Sequence, residues 1–272
     1  MIGAAGPESG RDVGRYMGVS MRETEALHLV GHAPVAPHLR GPGGGIRSGA
    51  LLTMIDNVGG LGGGLAALPD GWVVSTNLVA RVVALAHAGP LRLDSDLLRR
   101  GRNNVVTAVQ VRDEGARDAL VASAVLTSAI LVPENGPPQW NRPLTLQVPG
   151  DAPLDLPSIP DWLGVRAVGA DAVEIDLAAE LRNPWGILHG GVVAMLVDLA
   201  AEYATGGGWT TDVSLHFLAP NRVGPVRATA RVLGERADGK VLRVEVRDAG
   251  AERTTALAIV TCAPASGSYL SR

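Results

Sequence analysis

The chain lacks most of the features that announce a specialised scaffold. It has one cysteine, Cys262, in 272 residues. That excludes a disulfide framework and any zinc site built on cysteine, and it fits a reducing compartment such as the cytoplasm. Aromatic residues make up only 3% of the chain, so the core must be built from Val, Leu, Ala and Ile. The 24 basic and 27 acidic side chains give a formal net charge of -3. No basic face is on offer for nucleic acid. The first twenty residues lack the apolar stretch of a secretory signal. The most apolar run, Ala119 to Val132, is too short to cross a bilayer and carries Ser123, Thr127 and Ser128. No metal-ligand spacing links His28, His32, His38, His87 and His216, and surface or structural roles suit them.

What is present is a globular composition with 46% apolar residues, 35 glycines and 18 prolines, arranged as a repeat. Gly186-Ile-Leu-His-Gly-Gly-Val-Val-Ala-Met-Leu-Val-Asp198 has a counterpart at Gly44-Gly-Ile-Arg-Ser-Gly-Ala-Leu-Leu-Thr-Met-Ile-Asp56. Upstream, Tyr16-Met-Gly-Val19 resembles Trp162-Leu-Gly-Val165. Downstream, Val74-Ser-Thr-Asn-Leu78 resembles Trp209-Thr-Thr-Asp-Val213. Each half ends in two strand-like segments around a turn, at Asp113-Glu-Gly115 and Asp248-Ala-Gly250. Four correspondences in one order indicate a tandem duplication. The expected units are residues 13–132 and 161–264, joined by a proline-rich connector over 133–160, with loose termini outside them. Each unit reads as α+β: a strand, a glycine-rich loop, one helix, then three or four strands.

The helices carry the chemistry. One is expected from Gly190 to about Thr205, stopped by Gly206-Gly207-Gly208. The other is expected from about Ser48 to the glycines at 59–64. Those glycines lie at a helix end, not between a strand and a helix, so a dinucleotide-binding reading fails. They leave volume unfilled or permit close packing, and the sequence does not choose. Asp56 and Asp198 sit in mid-helix, where a carboxylate caps nothing and costs free energy to bury. At the helix start, His189-Gly190-Gly191 presents unpaired N–H groups that suit an anion or a developing oxyanion.

Geometry then constrains the partners. Gly190 and Asp198 are about 12 Å apart along one helix and differ by about 80° around it. They cannot touch one reacting carbonyl. A duplicated chain offers a solution: two antiparallel helices related by a pseudo-twofold, with Gly190 facing Asp56 and Ser48 facing Asp198. Glu202, one turn beyond Asp198, is expected to be solvated.

At Asn183-Pro-Trp-Gly-Ile-Leu-His-Gly-Gly191 followed by Asp198, the chain resembles hotdog-fold acyl-CoA thioesterases of the PaaI type. Residues 162–263 carry the resemblance well and 14–132 more loosely, so the whole resembles a double hotdog, with each helix wrapped by an antiparallel sheet. The resemblance implies hydrolysis of acyl-CoA, or a related acyl thioester, without metal or other cofactor. A cytoplasmic enzyme is expected; hotdog units commonly associate further, so the resemblance is compatible with homo-oligomers of double-hotdog chains and leaves the assembly open. By the family pattern, the Gly190 N–H holds the thioester oxygen, Asn183 and His189 position the thioester and water, and Asp56 acts as base or nucleophile with Ser75. The other junction, with Arg47 and Ser48 against Asp198 and Thr210, departs from the pattern, so one working site per chain is expected. Arg99, Arg100 and Arg102 are either a solvated hairpin or contacts for coenzyme A phosphates. Two other readings stay open: an acyl-CoA-binding module without turnover, and a hotdog enoyl-CoA hydratase or dehydratase.

Overall fold

The computed structural model describes residues 12–134, 136–147 and 156–264; the remaining connector residues and the terminal segments lie outside them. The first half runs α1 (Val13–Met17), β1 (Ser20–Glu25), β2 (His28–Ala33), α2 (Ser48–Ala67), β3 (Trp72–Val82), β4 (Leu91–Arg100), β5 (Asn104–Asp113) and β6 (Ala119–Leu131). After β7 (Thr145–Leu146), the second half repeats the order. It comprises α3 (Ile159–Leu163), β8 (Arg166–Val168), β9 (Ala172–Ile175), α4 (Gly190–Thr205), β10 (Trp209–Phe217), β11 (Val226–Arg236), β12 (Gly239–Asp248) and β13 (Arg253–Ala263).

All strands join one 13-stranded sheet in the order β7-β1-β2-β4-β5-β6-β3-β10-β13-β12-β11-β9-β8, and every pairing is antiparallel. Strands β2 to β6 wrap α2, and β9 to β13 wrap α4. Both helices are apolar on nearly every face and are buried along most of their length, which is what enclosure by a sheet requires.

Equivalent residues of the two halves meet one another. Strands β3 and β10 pair at the seam with Val79 opposite Ser214, residues that correspond in the repeat. Tyr16 and Trp162, which also correspond, stack with ring centroids 3.8 Å apart and planes 6° apart. Each lies in a short helix ended by a left-handed glycine, Gly18 or Gly164. One pseudo-twofold axis therefore passes through the stack, between the long helices and through the β3–β10 seam. A loop staple is duplicated as well. Asp113 accepts backbone N–H bonds from His87, Ala88 and Gly89, and Asp248 accepts them from Arg222, Val223 and Gly224. Burial raises the Asp248 carboxyl, yet these bonds together hold it below its ordinary range.

One expectation needs correction. Helix α2 does not stop at the glycines of 59–64 but runs through them to Ala67. Tertiary packing overrides the poor helix propensity of glycine here. A Cβ on Gly64 would lie 2.4 Å from the Trp72 ring, and one on Gly59 3.0 Å from Val109. The connector packs against the first half of the chain. Its Thr145–Leu146 segment adds an edge strand to β1, Leu144 is buried, and Arg142 pairs with the buried carboxylate of Glu23. That arginine holds Glu23 at about 2.

Candidate functional site

The long helices pack side by side and antiparallel. Contacts run from Gly49 against Met195 and Asp198, through Thr53 against Gly191, to Asp56 against Gly190. The approach is close enough to require glycine. A Cβ on Gly191 would lie 2.7 Å from the Thr53 methyl and 2.9 Å from its Cα. Thr53 Oγ1 lies 2.8 Å from the carbonyl oxygens of both Gly49 and Gly191 and ties the helices together. No motif or spacing in the sequence marks this threonine.

Because the helices cross here, the middle of α2 meets the N-terminus of α4. Asp56 Oδ2 and Oδ1 would lie 2.9 and 3.1 Å from a Cβ placed on Gly190, so only glycine admits the carboxylate. Ser75 Oγ donates to Asp56 Oδ1 at 2.6 Å. Ser75 borders an irregularity in the β3–β6 register, a place where a strand re-aims a side chain. His189 caps α4: its Nδ1 accepts the Gly191 N–H at 3.0 Å and lies 3.4 Å from Asp56 Oδ2. Accepting that bond requires Nδ1 without a proton; a protonated Nδ1 exchanges the cap for an ion pair with Asp56. The Gly190 N–H, at the positive end of α4, has no partner among the described residues.

Asp56, Ser75, His189 and Gly190 thus converge, from both halves of the chain. Among the described residues, no hydrogen bond links Asn183 to Asp56. Asn183 Oδ1 accepts the N–H of Trp185 at 2.9 Å and of Ile187 at 3.4 Å; it shapes the loop that delivers His189. Arg99, Arg100 and Arg102 lie at the far end of α2. Arg100 is exposed, and its Nε donates to Ala66 O at 2.8 Å while its guanidinium pairs with Asp70. Ala66 is about 15 Å along the helix from Asp56.

The pseudo-symmetric junction is closed. Gly49 N–H, rather than Ser48, donates to Asp198 Oδ2 at 2.8 Å, and Ser48 Oγ donates to Thr210 O. Asp198 is buried, which pushes its carboxyl up in spite of Arg47, Thr210 and Gly49. Glu202 is not solvated as expected. It pairs with Arg47, which is 8% exposed. Burial, helped by Asp198, pushes the Glu202 carboxyl up to about 7 despite Arg47. The space left among these side chains is about 10 Å³, room for one water at most. Cys262 beside them is buried, and burial pushes its thiol up to about 12, which leaves it inert as a nucleophile.

The fold is that of hotdog thioesterases. Three solved structures share it: the 12:0-ACP thioesterase of Umbellularia californica (TM-score 0.59, 14% identity, 89% of this chain and 99% of that one), an acyl-ACP thioesterase of Bacteroides thetaiotaomicron (0.59, 13%, 87% and 98%) and the tesB protein of Mycobacterium avium subspecies paratuberculosis (0.57, 13%, 90% and 96%). Residues 180–263 match the family described as acyl-CoA thioesterase N-terminal domain. A Saccharolobus solfataricus protein provisionally named an esterase is 34% identical over 73 residues. The alignment takes in 25% of this chain and 49% of that protein, so the chain spans about half the length of the curated relative it matches. No helix among the described residues is long and apolar enough to cross a membrane.

Proposed function

We propose that the chain is a double-hotdog hydrolase of acyl thioesters, with acyl-CoA as the substrate class and one working site at the Asp56–Gly190 junction. The observation that carries this reading is the Asp56 carboxylate set against the unpartnered N–H of Gly190 by two different helices. A thioester oxygen on the Gly190 N–H places the carbonyl carbon within reach of a water held by Asp56. Asp56 takes a proton from that water as its oxygen attacks the carbon. The displaced electron pair moves to the carbonyl oxygen, where the Gly190 N–H and the α4 dipole stabilise it. Collapse breaks the C–S bond, and the thiolate leaves with the proton from Asp56, giving free acid and thiol. The bond from Ser75 fixes Oδ1 and leaves Oδ2 toward Gly190. Direct attack by Oδ2 on the carbonyl is compatible with the same arrangement.

The closed junction at Asp198 favours one site over two, because Asp198 already accepts the Gly49 N–H and Glu202 already pairs with Arg47. A hydratase would need an acid and base at the α and β carbons, whereas the Asp56–Ser75–Gly190 grouping serves a single carbonyl. Thiol release from a panel of acyl-CoAs, run beside hydration of an enoyl-CoA, tests the reading. Thiol release without hydration is expected; hydration without thiol release overturns it, and tight binding without either reaction makes the protein a binding module.

A further inference from the structure

The two junctions are internal controls for each other. Counting from the paired aspartates, Gly60 of α2 corresponds to Glu202 of α4, and His189 corresponds to Arg47. At the Asp198 junction, the Glu202 and Arg47 side chains fill the space and leave about 10 Å³. At the Asp56 junction, Gly60 contributes no side chain, and a Cβ placed on it would meet nothing within 4 Å. Gly60 lies one turn beyond Asp56 on the same face of α2. Among its neighbours, Gly59, Gly62 and Gly64 would each bring a Cβ within 3.1 Å of another side chain. They serve close packing, and only Gly60 among the glycines of this stretch opens into space. The choice between room for a chain and close packing is therefore made position by position.

Gly60 is part-buried. Helix α4 starts opposite Asp56 and does not extend over Gly60. Trp185, in the loop before α4, donates its indole N–H to Val73 O at 3.1 Å, two residues from Ser75. One turn past Gly60, the Trp72 ring lies over Gly64 and ends the open stretch. From Asp56 to Gly64 is about 12 Å along the helix. Asn57, on the same side of α2 and three residues before Gly60, holds a buried side-chain nitrogen without a hydrogen-bond partner.

Resting on the thioesterase reading above, we propose that the acyl chain of the substrate lies over Gly60, between α2 and Trp185, with Trp72 as its end-stop. Gly60 is then a specificity-determining residue, and Glu202 with Arg47 is the plug that closes the equivalent groove. The opposite placement sends the thiol arm over Gly60 toward Arg99 and Arg102. The groove argues against it, because it ends on an aromatic ring before those arginines and Arg100 is already engaged.

The test is a series, Gly60→Ala, Gly60→Val and Gly60→Leu, in the full chain, with kcat/KM measured on saturated acyl-CoAs from acetyl upward. Gly60→Ala adds a methyl that meets no other atom within 4 Å and reduces backbone freedom, so it should fold at least as well. For the longest chains the wild type accepts, each added bulk should cost about tenfold or more, while acetyl-CoA changes by less than about threefold. Trp72→Ala should move the optimum to longer chains. Equal loss at every chain length, or no loss in Gly60→Leu, overturns the proposal; an equal loss accompanied by a changed preference between coenzyme A and its dephosphorylated form assigns the groove to the thiol arm. If the wild type releases no thiol, the hydrolase reading fails separately. Calorimetry with acyl-CoA thioethers of graded length then reads the groove alone. Affinity that rises with chain length in wild type and is flat in Gly60→Leu supports the placement, and identical profiles overturn it.

Discussion

Replacing Asp56 by Asn separates the two aspartates that the repeat makes equivalent. The Asp56 side chain is nearly enclosed, with Ser75 on Oδ1 at 2.6 Å and His189 Nδ1 3.4 Å from Oδ2. Asn keeps this shape. Its carbonyl oxygen still accepts from Ser75, and its amide nitrogen can donate to a neutral His189. The substitution also removes a buried charge, so stability should change by no more than about 1 kcal/mol. Activity should not survive. An amide cannot accept a proton from water, and loss of a positioned general base costs about 10²- to 10⁴-fold. Asp198→Asn alters a carboxylate whose partners, Gly49 and Thr210, are structural. It should change turnover by less than about threefold while shifting the melting temperature, because the new amide faces the Gly49 N–H. The assay is initial-rate thiol release with a chromogenic thiol reagent, with thermal unfolding measured on the same preparations. Equal losses of activity in both variants would refute the one-site reasoning, and a fully active Asp56→Asn would remove Asp56 from the chemistry.

Further expectations follow from the same geometry. Gly190→Ala places a methyl 2.9 Å from Asp56 Oδ2, so kcat should fall by about 10²-fold or more as the carboxylate is displaced from the N–H; unchanged turnover in a folded variant contradicts that. The Glu202 carboxyl titrates at about 7 in the folded protein against 4.5 when unpaired in solution. The folded state therefore holds a proton that the unfolded state has lost between those values, and stability should decline as pH rises through that window, by at most about 3 kcal/mol. Denaturant unfolding from pH 4.5 to 8 checks it, and Glu202→Gln should flatten the decline. Asp248→Ala strips acceptors from the backbone N–H groups of Arg222, Val223 and Gly224 and should cost about 2–4 kcal/mol without changing the acyl preference.

Much of this was legible in the sequence because it rests on periodicity and reach. The repeat placed Asp56 and Asp198 at equivalent helical positions, and helix geometry forbade either from serving its own N-terminus. The crossed pairing of Gly190 with Asp56 follows from those two facts alone. What was not legible depends on three-dimensional packing. Glycines at 59–64 read as a helix end, yet Trp72 and Val109 fill the places their side chains would occupy, so the helix continues. Glu202 read as solvated, because nothing local reveals that Arg47, 155 residues away, folds against it. The contacts of Asn183 Oδ1 with the N–H groups of Trp185 and Ile187 belong to the fold of its own turn, which the motif alone does not reveal. Trp185 contacts a strand 112 residues distant, a separation at which local pattern carries no information.

The central claim is that each chain assembles one working site from both halves. It is tested most directly by counting sites, through calorimetric titration of the wild-type chain with a non-hydrolysable acyl-CoA thioether. One analogue bound per chain is expected, with the chain-length dependence of its affinity lost in Gly60→Leu and the stoichiometry unchanged in Asp198→Asn. Two equivalent sites per chain, or one site whose affinity responds to Asp198→Asn and Glu202→Gln but not to changes at Gly60, would contradict it.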